Sequence, residues 1–270
     1  QLYDYQIPEK LSEFIQVGIR VQLPFGGRET EGIVVERVAA PERAGELKSI
    51  TKVLSVVPIA TSPSLDLIDS VAAHFACNPW DVIRSAIPPR VASVDRNFDL
   101  DESHQHNRGK FVVEFQTLAP YIEAHDQLVN LVLKNYESGS VLIIAPDEKD
   151  VDRIIESLSS HDVQVLKLTA AMPREERYRN YLQAMHGAKS IVVGTRSATF
   201  APVNKLSTII VHKESSLDHY EIRSPGWNSG SVALIRSKSE SVKLILTGFS
   251  PSIEVSQLIE EREVKYVNSK

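Results

Sequence analysis

Cysteine is almost absent from this chain. Cys77 stands alone among 270 residues, which excludes an internal disulfide and any zinc site built from four cysteines within this stretch. No apolar run reaches the ~18 residues that a membrane-spanning helix requires, and no charged stretch leads into an apolar one at the head of the sequence. Positive charge is not in excess either. The 35 acids outnumber the 30 lysines and arginines, for a net charge of −5. A broad phosphate-binding face is thereby disfavoured, and any contact with nucleic acid has to be local. The G-x-x-x-x-G-K-[ST] loop that cradles nucleotide phosphates occurs nowhere. These absences lead us to expect a protein of the reducing cytoplasm, away from membranes. Gln1 is followed at once by residues that read as structured, as expected of a fragment trimmed at its start, with trimming at its end left open.

What is present reads as two ordinary domains. Apolar residues make up 42% of the chain and charged residues 24%, the globular norm. Residues 14–38 alternate as strands do, with Pro24-Phe25-Gly26-Gly27 as a turn, and Ile50–Val56 predicts another strand. From Ser64 the apolar residues Leu65, Leu67, Ile68, Val71, Ala72 and Phe75 fall at helical spacing, and Pro79-Trp80 opens a second short helix. Residues 91–110 are polar and read as a linker. His104 and His106 sit in it among acids, which favours a solvated loop over a metal site.

From Phe111 the pattern alternates strand and helix. Strands are predicted at Phe111–Phe115, Val141–Ala145, Val163–Leu168, Ile191–Gly194, Thr208–Val211 and Leu244–Thr247. Helices are predicted at Tyr121–Lys134, Val151–Leu158 and Arg174–Met185. This rhythm predicts a mostly parallel sheet covered by helices, with ligands at the carboxyl ends of its strands. Those ends carry Ala145-Pro146-Asp147, Gly194-Thr195-Arg196, His212-Lys213-Glu214 and Gly248-Phe249-Ser250. Glu175-Glu176-Arg177 reads as a solvated helix face. Trp227 and His219 belong to no motif and are expected to serve as core or surface.

Several phrases, in order, resemble the PriA family of replication restart proteins. Leu2-Tyr3-Asp4-Tyr5, Val21-Gln22-Leu23-Pro24-Phe25-Gly26, Leu47-Lys48, His74-Phe75 through Pro79, and Ile87-Pro88-Pro89 look like its front domain. Val192-Val193-Gly194-Thr195-Arg196-Ser197-Ala198-Thr199-Phe200 and Gly248-Phe249-Ser250-Pro251-Ser252 look like its first motor lobe. The resemblance implies a small β-rich domain over 1–90 that captures the 3′ end of a DNA strand. A linker follows over 91–110, and then a RecA-like α/β lobe of P-loop NTPase type over 111–270. It carries Tyr3 over as a stacking platform for the terminal base, Asp4 as acceptor for the 3′-hydroxyl, Gly26 as a point of close backbone approach, and Lys48 as a phosphate contact. The plainer alternative makes Tyr3 and Phe25 core, Gly26 a simple turn and Lys48 a surface charge. Thr195 and Arg196 either contact DNA or the lobe interface, or cap a turn and pair with an acid.

The chain also departs from that family. Where the phosphate loop belongs it has Gln116-Thr117-Leu118-Ala119-Pro120-Tyr121. Where the family has aspartate-glutamate-glutamate-histidine, His212 and Lys213 replace the first two acids, and only Glu214 survives. No winged-helix segment fits between the halves, and the family's zinc cysteines belong to a second lobe outside this chain. The expectation is therefore a motor-degenerate member with no catalytic residues, no metal and no cofactor of its own, in contrast to the ATP and magnesium of the family. Its partners would be DNA forks, 3′ ends and single strands, together with other restart proteins. An active ATP-dependent helicase and a purely structural primosome subunit are the competing readings.

Overall fold

The computed structural model describes residues 2–41, 45–98, 109–118 and 123–268. The front half is built on a hairpin. β1 (Arg20–Phe25) and β2 (Arg28–Ile33) run antiparallel, and β3 (Lys52–Val53) adds to the other side of β1. The two-residue turn between them is Gly26-Gly27, with φ of 59° and 80°. A primed turn needs positive φ at both central positions, so glycine occupies both. The expected strands are shifted as well as shortened: residues 34–38 are irregular beyond β2, and only Lys52–Val53 of the expected Ile50–Val56 is strand. Residues 14–19 form turns, because Gly18 takes a φ of 84° and lies so close to the Ala60 carbonyl that no side chain fits there. Ile15, Ile19, Val21, Val34 and Ile50 still close a small core.

Three helices follow: α1 (Ser62–His74), α2 (Pro79–Ala86) and α3 (Ala92–Arg96). Thr61 and Ser64 cap each other at the start of α1, and the Asn78 side chain accepts from Trp80 N–H to start α2. Helix α3 lies at the start of the segment read as linker, and its Asp95 is buried. Residues 99–108 of that segment, with His104 and His106, lie outside the described residues.

The second half is a seven-stranded sheet of β4 (Val112–Thr117), β5 (Ser140–Ile144), β6 (Val165–Leu168), β7 (Ile191–Gly194), β8 (Leu206–His212), β9 (Lys243–Gly248) and β10 (Lys265–Val267). The order is β10-β4-β9-β8-β5-β7-β6, and every pairing is parallel. Helices α4 (Glu123–Tyr136), α5 (Glu148–Leu158), α6 (Arg174–His186), α7 (Ser229–Glu240) and α8 (Ile253–Glu260) complete it. The expected mixture of a β-rich front and a parallel α/β lobe is the fold observed. β5 and β8 are buried along their whole length, which is why Val141–Ile144 and Ile209–Val211 read as unbroken apolar runs. Their side chains divide by parity. Val141 and Ile143 join one core with Leu128, Val132 and Ile154, while Leu142 and Ile144 join another with Tyr178, Leu182 and Val232. Among the described residues no helix is long and apolar enough to cross a membrane.

That second core does not stop at the lobe. It continues through Val57, Ile59, Leu67, Ile68, Val71 and Val82 of the front half. Polar contacts follow the same seam. Tyr178 Oη donates to Asp95 Oδ1 at 2.7 Å and Arg90 Nε donates to Asp95 Oδ2 at 2.6 Å. Tyr181 Oη donates to the Ile59 carbonyl at 2.9 Å, and His186 Nε2 to the Pro58 carbonyl at 2.7 Å. Helix α6 is thus a shared wall between front and back.

Candidate nucleic-acid interface

The first residues reach their neighbours through backbone pairing. Gln6 N–H donates to the Lys48 carbonyl at 2.9 Å, and Ile50 N–H donates to the Gln6 carbonyl at 3.1 Å. Tyr5 Oη donates to the Pro24 carbonyl at 3.1 Å, which ties the same segment to the hairpin tip. The three pieces enclose a pocket of about 380 Å³. Tyr3, Asp4, Gly26 and Lys48 all line it, so the four residues carried over from the resemblance stand around one space. Tyr3 and Phe25 meet edge to face with centroids 5.0 Å apart. Tyr3 is 50% exposed and Phe25 40%, so neither is a core residue. A methyl group at Gly26 would meet no other atom of the chain and would project into open space, although its φ still favours glycine. Sequence reasoning gave no site role to six further lining residues, Leu2, Tyr5, Pro24, Phe25, Glu46 and Leu47, of which Phe25, as the partner of Tyr3, and Glu46 add the most to the pocket's chemistry. Phe25 was readable as an exposed aromatic at a turn; Glu46 carries no signal beyond lying close to Lys48.

The carboxyl edge of the parallel sheet is the other place where motifs gather. Thr195 precedes the 3₁₀ turn Arg196–Phe200, but its side chain makes no capping hydrogen bond. Arg196 Nη1 donates to the Asp218 carbonyl at 2.6 Å, and its Nη2 lies 3.8 Å from Glu221. Trp227 is core and packs edge to face on Phe200, and His219 is fully buried.

After β8, each residue of the altered acidic motif is engaged internally. His212 is 4% exposed, with Nδ1 3.1 Å from Thr247 Oγ1. Burial foremost, then the Lys213 charge, pushes its pKa down to about 4, so the ring is neutral at pH 7. Lys213 takes a φ of 53° and donates to both carboxylate oxygens of the buried Asp150 at 2.7 Å. Glu214 accepts from Ser252 N–H at 2.7 Å at the start of α8, and burial raises its pKa. Of the segment that stands in place of a phosphate loop, Gln116, Thr117 and Leu118 are described, and 119–121 lie outside the described residues. Leu118 is buried, and Thr117 Oγ1 donates to Tyr266 Oη at 2.8 Å.

Residues 1–88 match the PriA family of 3′ DNA-binding domains. The chain is 29% identical over 283 residues to the "Probable replication restart protein PriA" of Mycobacterium tuberculosis, covering 95% of this chain and 43% of that protein. It is 27% identical over 285 residues to the corresponding protein of Mycobacterium leprae, covering 95% and 44%. It therefore spans less than half the length of these relatives. Solved structures with some likeness include the C-terminal domain of the DEAD-box protein Dbp5 (15% identity, TM-score 0.45, 60% of this chain and 92% of that one). Another is RecG bound to a three-way DNA junction (15% identity, TM-score 0.43, 77% and 30%). With its front residues matching the PriA 3′ DNA-binding domain and 95% of its length aligning with replication restart proteins, the chain is similar to the PriA family from end to end of the aligned region.

Proposed function

We propose that this chain holds the 3′ end of a DNA strand at a replication fork, serves replication restart with partner proteins, and does not turn over ATP. The observation that carries the reading is the pocket that gathers Tyr3, Asp4, Gly26 and Lys48 within the segment matching the 3′ DNA-binding domain. A terminal base stacks on the Tyr3 ring, which Phe25 holds from the side; such stacking contributes roughly 1–3 kcal/mol and tolerates any base. The Asp4 carboxylate accepts from the free 3′-hydroxyl, a charge-assisted bond worth about 1.5–3 kcal/mol. A terminal phosphate would set its charge against that carboxylate, so the pocket distinguishes the two ends by repulsion. Lys48 meets the next backbone phosphate.

Support for the absence of a motor comes from the sheet edge. Magnesium and a triphosphate need free carboxylates and an open backbone nest. There Lys213 occupies Asp150, Glu214 is spent on the start of α8, and His212 is buried and neutral. The residues present do not fit the nucleotide and its metal, and we assign the chain no cofactor.

The deciding measurement is fluorescence anisotropy on forked DNA ending in a 3′-hydroxyl or a 3′-phosphate. We expect tighter binding to the hydroxyl end, with the preference abolished in Asp4→Ala. Equal affinity of the unaltered protein for both ends would defeat the pocket reading. Phosphate release from ATP in the presence of the same forks should stay at background, and clear stimulation by DNA would defeat the other half.

A further inference from the structure

The geometry points to a second DNA contact that rests on the function just proposed: Arg177, with Ser197 beside it and Arg174 one turn earlier, forms a subsite for a backbone phosphate of the strand whose end the front pocket holds. Arg177 lies in the first turn of α6, where the chain leaves the carboxyl end of β6, and Ser197 lies in the 3₁₀ turn that leaves the carboxyl end of β7. β6 and β7 are parallel neighbours, so both residues stand on the edge of the sheet where such folds bind ligands.

The acidic run that reads as a solvated face is solvated only in part. Glu175 and Glu176 are exposed, whereas Arg177 is partly buried. Its one side-chain hydrogen bond runs from Nη2 to Ser197 Oγ at 3.4 Å, and no carboxylate among the described residues lies within ion-pair distance. A partly desolvated guanidinium without an anion is an expensive arrangement, and burial accordingly lowers its pKa from the ordinary arginine value. The nearest acids in sequence do not relieve it, since Glu175 is taken by Arg179 at 2.9 Å. The first turn of a helix is also the wrong end for a cation. Arg174 lies on the same face three residues earlier, exposed to solvent, and donates to the Arg90 carbonyl at 3.4 Å. An arriving phosphate would relieve Arg177, which offers it a planar fork of donors, with the exposed Arg174 charge close by. Arg196, the residue that the motif suggested, is less available, because its guanidinium is already committed to Asp218 and Glu221.

The test compares the unaltered chain, Arg177→Gln and Arg177→Lys by anisotropy on a fork with single-stranded arms, between 50 and 200 mM salt. Neutralising one phosphate contact should flatten the plot of log affinity against log salt by about 0.7–0.9. We expect this loss in Arg177→Gln, with affinity several-fold lower and the 3′-hydroxyl preference unchanged, and recovery of the slope in Arg177→Lys. A purely structural arginine would not move the salt slope, so an unchanged slope in Arg177→Gln overturns the subsite. If the unaltered protein discriminates no 3′ end yet the slope still falls, the pocket reading fails and the subsite stands. If inorganic phosphate raises the melting temperature of the unaltered protein but not of Arg177→Gln, while DNA binding is the same in both, the site serves a free anion and the assignment to DNA is overturned.

Discussion

His212 shows how a single residue can carry both the history and the chemistry of a site. Its folded-state pKa of about 4 lies below the ordinary 6.5, chiefly because the ring is buried. The unfolded chain therefore holds more protons between those values, and stability must fall as pH drops through that window. His186 and His219, also lowered by burial, act in the same direction. At the acid end His212 alone accounts for roughly 3 kcal/mol. We expect the melting temperature to decline below about pH 6.5 and the decline to be shallower in His212→Asn; a flat profile from pH 7 to 4.5 would contradict this. Lys213 offers a second case. Lys213→Met leaves the Asp150 carboxylate buried, with Arg153 at 3.9 Å as its remaining cation. Removing one partner of such a pair costs about 2–4 kcal/mol. Urea unfolding should register that loss, and the double variant with Asp150→Asn should recover most of it. Lys213→Glu should be worse still, because two carboxylates would then face each other. Acids placed at positions 212 and 213 are therefore not expected to bring ATP turnover with them.

Among the elements, those that could be read in advance are the ones whose burial leaves a periodic mark. Strands β5, β7, β8 and β9 stood out because parallel strands covered on both faces are continuous apolar runs. Helix α7 passed unnoticed, since its sequence is rich in serine and it starts on the Asn228 side chain, which accepts from Gly230 and Ser231 N–H. β10 is three residues at the sheet edge, held by the Tyr266 ring stacked on Phe115, and no pattern that short is legible. The pocket residues have no periodicity at all. Tyr3, Asp4, Gly26 and Lys48 became visible through family phrases, and Phe25 and Glu46 only once the hairpin brought their segments to the same place. Two element-scale tests follow from the caps and seams. Thr61→Ala removes half of the α1 capping box and should cost about 1 kcal/mol. Tyr178→Phe withdraws a hydroxyl donor from the buried Asp95 carboxylate and should cost about 1.5–3 kcal/mol by urea unfolding.

At the scale of the molecule, front and back share one apolar core along α1 and α6. A chain whose halves met only at a linker would unfold in two steps. Here we expect a single cooperative transition in urea, reported alike by tryptophan fluorescence and by far-ultraviolet circular dichroism. Two separated midpoints would show that the seam contributes little.

The seam made by Tyr178, Tyr181 and His186 has one more consequence. A gripping mouth on a swivelling neck could accept a fork at any opening angle. If the pocket holds a strand terminus as proposed, a front half packed on the lobe through this seam would keep that terminus at a set distance from the edge of the sheet, and the protein would act as a gauge of junction geometry.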